Sequence, residues 1–275
     1  MSIIKTTYEY YRQNGVVELV KAIQNRMTVW GTIGYHLAKN PAKATYSYED
    51  IEFLSPWETL EYLLENEVGI ARYGDAELQY VCGLSTNNED YSTFLASKLR
   101  NIASSYNSKR CKEEYLLAMP LSRVWGEQAN QNYWSKMHKY SMQTLIKKGA
   151  LYGSSICFRP KRDELRQKDR AECIDKIESI FDDKNIIYIA DKNRLDSHIG
   201  VEKFIQIPPR NAWEDYEKLK RAVITQVNNY QECVVLVSAG STGCALSAEL
   251  NRAGILTYDI GNFYEEYGYE IADPD

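Results

Sequence analysis

From residue 51 onward, short apolar runs alternate with longer stretches whose apolar residues fall at helical spacing. Ser55-Pro56-Trp57-Glu58 opens the first helix, with Ser55 as N-cap and Pro56 at the first helical position. Val68–Tyr73 reads as a strand, and Leu78, Val81 and Cys82 start a helix just after it. An amphipathic helix follows from Tyr91 to about Tyr106, then a strand from Tyr115 that Pro120 ends. Glu127 to Lys148 is helical, Ala150–Phe158 extended, and Glu164 to Phe181 helical again. Asn185–Ala190 is a continuous apolar strand, and Phe204–Ile207 is another, stopped by Pro208-Pro209. Asn211 to about Tyr230 is helix, and Glu232–Ser238 is the clearest buried strand. Thr242 to Arg252 is helix closed by Gly254, and Ile255–Ile260 is the last strand. Strands apolar on both sides and separated by helices predict an α/β fold. Its sheet should be largely parallel, covered by helices on both faces, with Val234–Val237 near its centre.

The first 50 residues read differently. Met1 to about Asn40 is helical, with an apolar stripe at Val16, Val17, Leu19, Val20 and Ile23; Pro41 and the polar segment Lys43–Asp50 form a linker. The expected organisation is an N-terminal helical extension and linker over residues 1–50 and one domain over 51–275. The extension reads as a packing or dimerisation helix, which leaves a homo-oligomer open; contact with an acceptor or a membrane surface is the second reading.

A net charge of −5 argues against a nucleic-acid partner. The 22 tyrosines suit amphipathic surfaces, on which sugars stack, although most such rings are half-buried structural residues. The six cysteines form no C-x-x-C pair and read as reduced, mostly buried thiols. The three histidines lie far apart, which argues against zinc. With no signal-peptide core at Met1–Glu9 and no run of 18 apolar residues, the chain is expected in the cytoplasm, with peripheral membrane contact left open.

The polar motifs fall at the carboxyl ends of the strands, where parallel sheets bind ligands. At Arg72-Tyr73-Gly74, a strand turns into a helix bearing Asp75 and Glu77. Two carboxylates at that spacing can share a hard divalent cation such as Mn²⁺ or Mg²⁺. The competing reading is purely structural: acids in a first helical turn favour the helix dipole without any metal. With Asp75 as N-cap, a capping box would need Glu or Gln at position 78, where Leu78 stands. Ser238-Ala-Gly-Ser-Thr-Gly243 is a loop at a helix start. Gly240 permits close backbone approach, and Ser241 and Thr242 offer donors to a phosphate, or merely cap the helix. Arg159 at a strand end could clamp a diphosphate, or lie on the surface. Asn211 could hold a base or ribose, and Trp213 could wall a pocket; Asn211 is otherwise an N-cap and Trp213 core. Arg194 is a further cation candidate, and Asp259 either faces the site or caps the turn before Gly261.

The order of these motifs resembles the GT-D-type glycosyltransferases. Arg72-Tyr-Gly-Asp-Ala-Glu77, Phe158-Arg-Pro160, Pro209-Arg-Asn-Ala-Trp213, Ser238-Ala-Gly-Ser-Thr-Gly243 and Tyr258-Asp-Ile-Gly-Asn262 carry the resemblance, which spans about Ser55 to Tyr267. The family's D-x-E motif falls on Asp75 and Glu77, with Ala76 where Gly is usual; Gly240-Ser-Thr242 stands where Gly-Pro-Thr is usual. The resemblance implies a Rossmann-like sheet and metal-dependent transfer of a sugar from a UDP-sugar to a glycan or glycoprotein. The expectation is a hexosyltransferase using UDP-glucose or UDP-galactose, with a glycan, glycolipid or glycoprotein acceptor. Asp75 and Glu77 would hold Mn²⁺ or Mg²⁺. Arg72, Gly74, Arg159, Asn211, Trp213, the Gly240–Thr242 loop and Asp259 would line the donor site. Asp196, Glu214 and Asp259 are candidates for a general base by location alone. A metal-dependent phosphohydrolase and a non-catalytic nucleotide-sugar-binding partner are the alternatives.

Overall fold

Alternate residues of the inner strands enter two different cores. Ile70, Leu116, Tyr188, Val234 and Leu236 join one apolar cluster; Ala71, Leu117, Ile189, Val235 and Val237 join the other. That period of two is what a sheet buried on both faces requires. In this computed structural model the described residues are 3–46, 51–106, 114–120, 133–159, 170–191, 200–228 and 232–263.

The strands are β1 (Glu52–Phe53), β2 (Gly69–Arg72), β3 (Tyr115–Met119), β4 (Leu151–Ser154), β5 (Asn185–Asp191), β6 (Val201–Ile207), β7 (Cys233–Ser238) and β8 (Thr257–Asp259). They form one eight-stranded sheet in the order β1-β4-β3-β2-β8-β7-β5-β6, and every pairing is parallel. The helices are α1 (Ile3–Lys39), α2 (Pro56–Asn66), α3 (Asp75–Tyr80), α4 (Thr93–Ser105), α5 (Tyr133–Leu145), α6 (Arg170–Ser179), α7 (Tyr216–Val227) and α8 (Gly240–Arg252). Residues of α2 and α6 fill the first core, and residues of α1, α3, α4, α5, α7 and α8 fill the second. The α/β expectation holds; β7 is buried between β8 and β5, but it is the sixth of eight strands, and the centre of the sheet is held by β2 and β8 rather than by β7.

Element ends moved by a few residues for local reasons. Ser55 caps α2 as expected, closing a box in which Glu58 accepts the Ser55 N–H at 2.7 Å. A 3₁₀ turn at Ala212–Asp215 precedes α7, because Asn211 sits in the left-handed region at φ 57° and cannot be a helical residue. The expected starts of α5 at Glu127 and of α6 at Glu164 lie outside the described residues.

Gly69 is fixed by packing. A Cβ there would lie 2.0 Å from Asn251 Oδ1 and 2.3 Å from the Thr257 carbonyl. Asn251, buried on α8, donates to the Ser247 and Thr257 carbonyls and accepts the Thr257 N–H at 3.0 Å. One amide thus ties α8 to β8, directly over β2.

The helical run of α1 breaks at Gly15 (φ 79°, ψ 175°). Beyond it, Val29 and Ile33 enter the second core, whereas Val16, Val17, Val20 and Ile23 are exposed. The stripe read from the sequence therefore faces away from the domain. No described helix is long and apolar enough to cross a membrane.

Candidate functional site

The turn from β2 into α3 builds the site. The N-cap is Gly74, one residue earlier than the sequence suggested, so Asp75 is the first helical residue and Glu77 the third. Glu77 then reaches back, and its Oε2 accepts the Gly74 N–H at 2.6 Å. That is the acidic half of a capping box, moved to a register where Glu rather than Leu78 occupies the third position. The other oxygen, Oε1, accepts from Ser241 Oγ at 2.9 Å. Glu77 is buried, and its carboxyl is pushed above the usual range first by burial and then by the nearby Asp259. Asp75 is half-buried.

Arg72, the last residue of β2, is also buried. It donates to the Ser155 carbonyl at 2.7 Å and to Asp259 Oδ1 at 3.3 Å, and its guanidinium lies 5.8 Å from the Phe158 ring centre. The Asp259 carboxyl is raised all the same, because burial outweighs its ion pair with Arg72. Gly261 makes the pair fit: at φ 55°, a Cβ there would lie 2.1 Å from Arg72 Nη2.

These groups line a cleft of about 280 Å³ beyond the carboxyl ends of β2, β3, β4 and β8. Arg72, Gly74, Asp75, Glu77, Arg159, Gly240 and Asp259 all reach it. Ser241 and Thr242 do not line it: both are buried beneath its wall, with their donors used internally. Ser241 serves Glu77, and the Thr242 N–H (3.2 Å) and hydroxyl both serve Glu89 Oε1. Asn211 and Trp213 also stand apart. Asn211 braces the 88–90 loop: its Oδ1 accepts the Asp90 N–H at 2.7 Å and its N–H donates to the Asn88 carbonyl at 2.9 Å. Trp213 packs half-buried on the second core. Of the general-base candidates, Asp259 is engaged with Arg72, Glu214 is exposed and lines neither this cleft nor its neighbour, and Asp196 lies outside the described residues, as does Arg194.

Glu89 escaped the sequence reading. It is 2% exposed, and burial foremost, with Glu77 adding to it, pushes its carboxyl up to about 7. Its Oε2 has no hydrogen-bond partner. A second cleft, about 100 Å³, opens at Glu89 and Asp191 and meets the first at Asn88 and Gly240. Nothing in the polar loop Asn87-Asn88-Glu89-Asp90 distinguishes Glu89 in sequence; its partner Thr242 is 153 residues away.

Among the described residues no three His, Cys, Asp or Glu side chains form a metal cage. A cation that bridges carboxylates to phosphate does not need one. Mg²⁺ at such sites is bound by one or two carboxylates, substrate phosphates and water. Asp75 and Glu77 offer that set. Glu77 has each oxygen hydrogen-bonded once, but an ionised carboxylate has about four acceptor positions, so capacity remains.

Comparisons with known proteins point to one family. The family model for the glycosyltransferase GT-D fold matches residues 70–271. The probable glycosyl transferase Gly of Streptococcus gordonii is 26% identical over 232 residues, covering 79% of this chain and 33% of its own length. Glycosyltransferase GlyD of Streptococcus pneumoniae is 23% identical over 223 residues, covering 76% of this chain and 26% of its own length. The chain thus spans about a third or less of these relatives. A solved structure described as a new glycosyltransferase from Streptococcus sanguinis superposes with a TM-score of 0.66 at 26% identity, covering 80% of this chain and 84% of that one. Another, described as a domain of unknown function with a distinct glycosyltransferase fold, shares the fold at a TM-score of 0.66 and 23% identity, covering 81% and 83%. With the family model matching residues 70–271 of 275, on a sheet that solved glycosyltransferase structures share, this chain belongs to the glycosyltransferase GT-D fold family.

Proposed function

We propose that this chain transfers a hexose from a UDP-sugar, UDP-glucose or UDP-galactose, to a glycan, glycolipid or glycoprotein acceptor, with Mn²⁺ or Mg²⁺ at Asp75 and Glu77. The observation that carries the proposal is that both acids of the D-x-E turn and the guanidinium-bearing Arg159 line one cleft at the carboxyl edge of the sheet. The cation, when bound, supplies charge neutralisation for the leaving diphosphate. Asp75, half-buried in the cleft lining, would hold the cation. Glu77, held from both sides by Gly74 and Ser241, is a second ligand whose position is fixed before anything binds. Arg159 adds a planar donor fork for the phosphates. Arg72 serves through Asp259: the pair is desolvated in the cleft floor and holds β2 against β8. Gly240, at φ 53° with nothing within 4 Å of a Cβ, leaves the helix start open to close approach.

A thermal-shift screen tests the proposal with UDP, UDP-glucose, UDP-galactose and free glucose, each with and without Mn²⁺. A ligand present at about 100 times its Kd adds about 2.7 kcal/mol to the folded state. The nucleotide ligands should raise the melting temperature only with Mn²⁺, and glucose should not. Equal stabilisation by glucose, or by UDP without metal, would refute the proposal.

A further inference from the structure

The two clefts differ in electrostatic character. The larger one holds Arg159 and the Arg72–Asp259 pair beside Asp75 and Glu77, the two acids that would share a cation. The smaller lies at the carboxyl ends of β5, β6 and β7, and its wall carries the acids Glu89 and Asp191. Among the described residues of that wall the guanidinium is that of Arg210, which is paired with Asp90 at 2.7 Å. The rest of the wall includes Ile207, Pro208, Pro209, Ala212 and Ser238, and the surface it presents to the cleft is mainly polar. A phosphate entering there would meet two carboxylates, whereas a neutral group with hydroxyl donors would meet two acceptors.

Glu89 supplies the second observation. It is 98% buried, both Thr242 donors go to Oε1, and Oε2 is unpartnered. Buried carboxylate oxygens without a donor are uncommon because they forfeit hydration with nothing in return. A ligand hydroxyl would satisfy it.

We infer that the smaller cleft receives the neutral vicinal-diol part of the donor, with Glu89 and Asp191 accepting from its hydroxyls, while the diphosphate stays in the larger cleft. The inference rests on the nucleotide-sugar reading above and adds a direction to it. The donor crosses the junction at Asn88 and Gly240, which line both clefts. Two parts of a UDP-sugar carry such a diol, the ribose and the hexose.

Calorimetry with Mn²⁺ present separates the two sources. Pyrophosphate, UDP and UDP-glucose are titrated into the wild type and into the double variant Glu89→Gln, Asp191→Ala. Gln keeps an acceptor for Thr242, and Asp191 is half-buried at a strand end. Asp191→Ala alone serves if melting shows the double variant unfolded. At pH 8, where Glu89 is ionised, losing charge-assisted acceptors should weaken the affected ligands about ten-fold. If the ribose occupies the cleft, UDP and UDP-glucose weaken together, with pyrophosphate unchanged or slightly tighter. If the hexose occupies it, UDP-glucose alone weakens. Unchanged affinity for all three ligands in a folded variant, or an equal loss for all three, would overturn the inference and leave the metal–diphosphate site standing. Failure of the wild type to bind any of the three would instead overturn the nucleotide-sugar reading itself, and the inference with it.

Discussion

Glu77 and Glu89 lie on either side of the α8 N-terminus, and their carboxylates take the hydroxyls of Ser241 and Thr242. In the sequence those hydroxyls read as donors to a phosphate or as a helix cap. Asp75 and Glu77 could be read from the chain because an apolar run, a glycine and two acids at fixed spacing say where they lie. Glu89 could not, because its burial comes from a contact with Thr242 across 153 residues and its own loop has no periodicity. Its protonation has a measurable effect. A carboxyl raised from 4.5 to about 7 in the folded state binds more protons folded than unfolded between those values. The folded protein therefore loses stability as pH rises from about 4.5 to about 7, on the order of 3 kcal/mol from this group. Glu89→Gln removes that loss. Urea melts of the metal-free proteins should show the variant gaining on the wild type across that window. A constant difference between the two from pH 4.5 to 7.5 would show that Glu89 titrates normally.

At the scale of elements, α8 closes over β2 and β8, and the closeness is set by Gly69 beneath Asn251. Gly69→Ala should destabilise by about 1–3 kcal/mol through overpacking, read as a lower urea midpoint with an unchanged slope. A midpoint equal to wild type would mean that α8 can lift off the sheet without loss. Sequence patterning located α8 well but not this contact, since a glycine inside a strand says only that something comes close. The N-terminal helix shows the opposite case. Its apolar stripe was legible, but its partner was not: Val17 is 67% exposed, whereas Ile33, four turns along, is 2% exposed. Ile33→Ala should cost about 2–5 kcal/mol. Val17→Ala should stay within about 0.5 kcal/mol. Equal losses from the two would contradict the described packing of α1.

For the whole molecule, a parallel sheet covered on both faces follows from inner strands such as β3, β5 and β7 that are apolar along most of their length, and that much was legible. The strand order was not. β2 lies between β3 and β8, and β8 is the last strand in the chain, so Arg72 meets Asp259 only through a pairing that no local pattern encodes. This pairing brings the D-x-E turn, the Arg72–Asp259 pair and the start of α8 to one edge. The central claim is that Asp75 holds a metal there rather than merely favouring a helix end. Titrating UDP-glucose calorimetrically into wild type without metal, wild type with Mn²⁺, and Asp75→Asn with Mn²⁺ tests it most directly. An acid in a first helical turn contributes only about 0.3–1 kcal/mol through the dipole, so the metal-free melting temperature of Asp75→Asn should stay close to wild type. Binding should be seen only in the wild type with Mn²⁺. Metal-independent binding by the wild type, or undiminished Mn²⁺-dependent binding by Asp75→Asn, would contradict the claim.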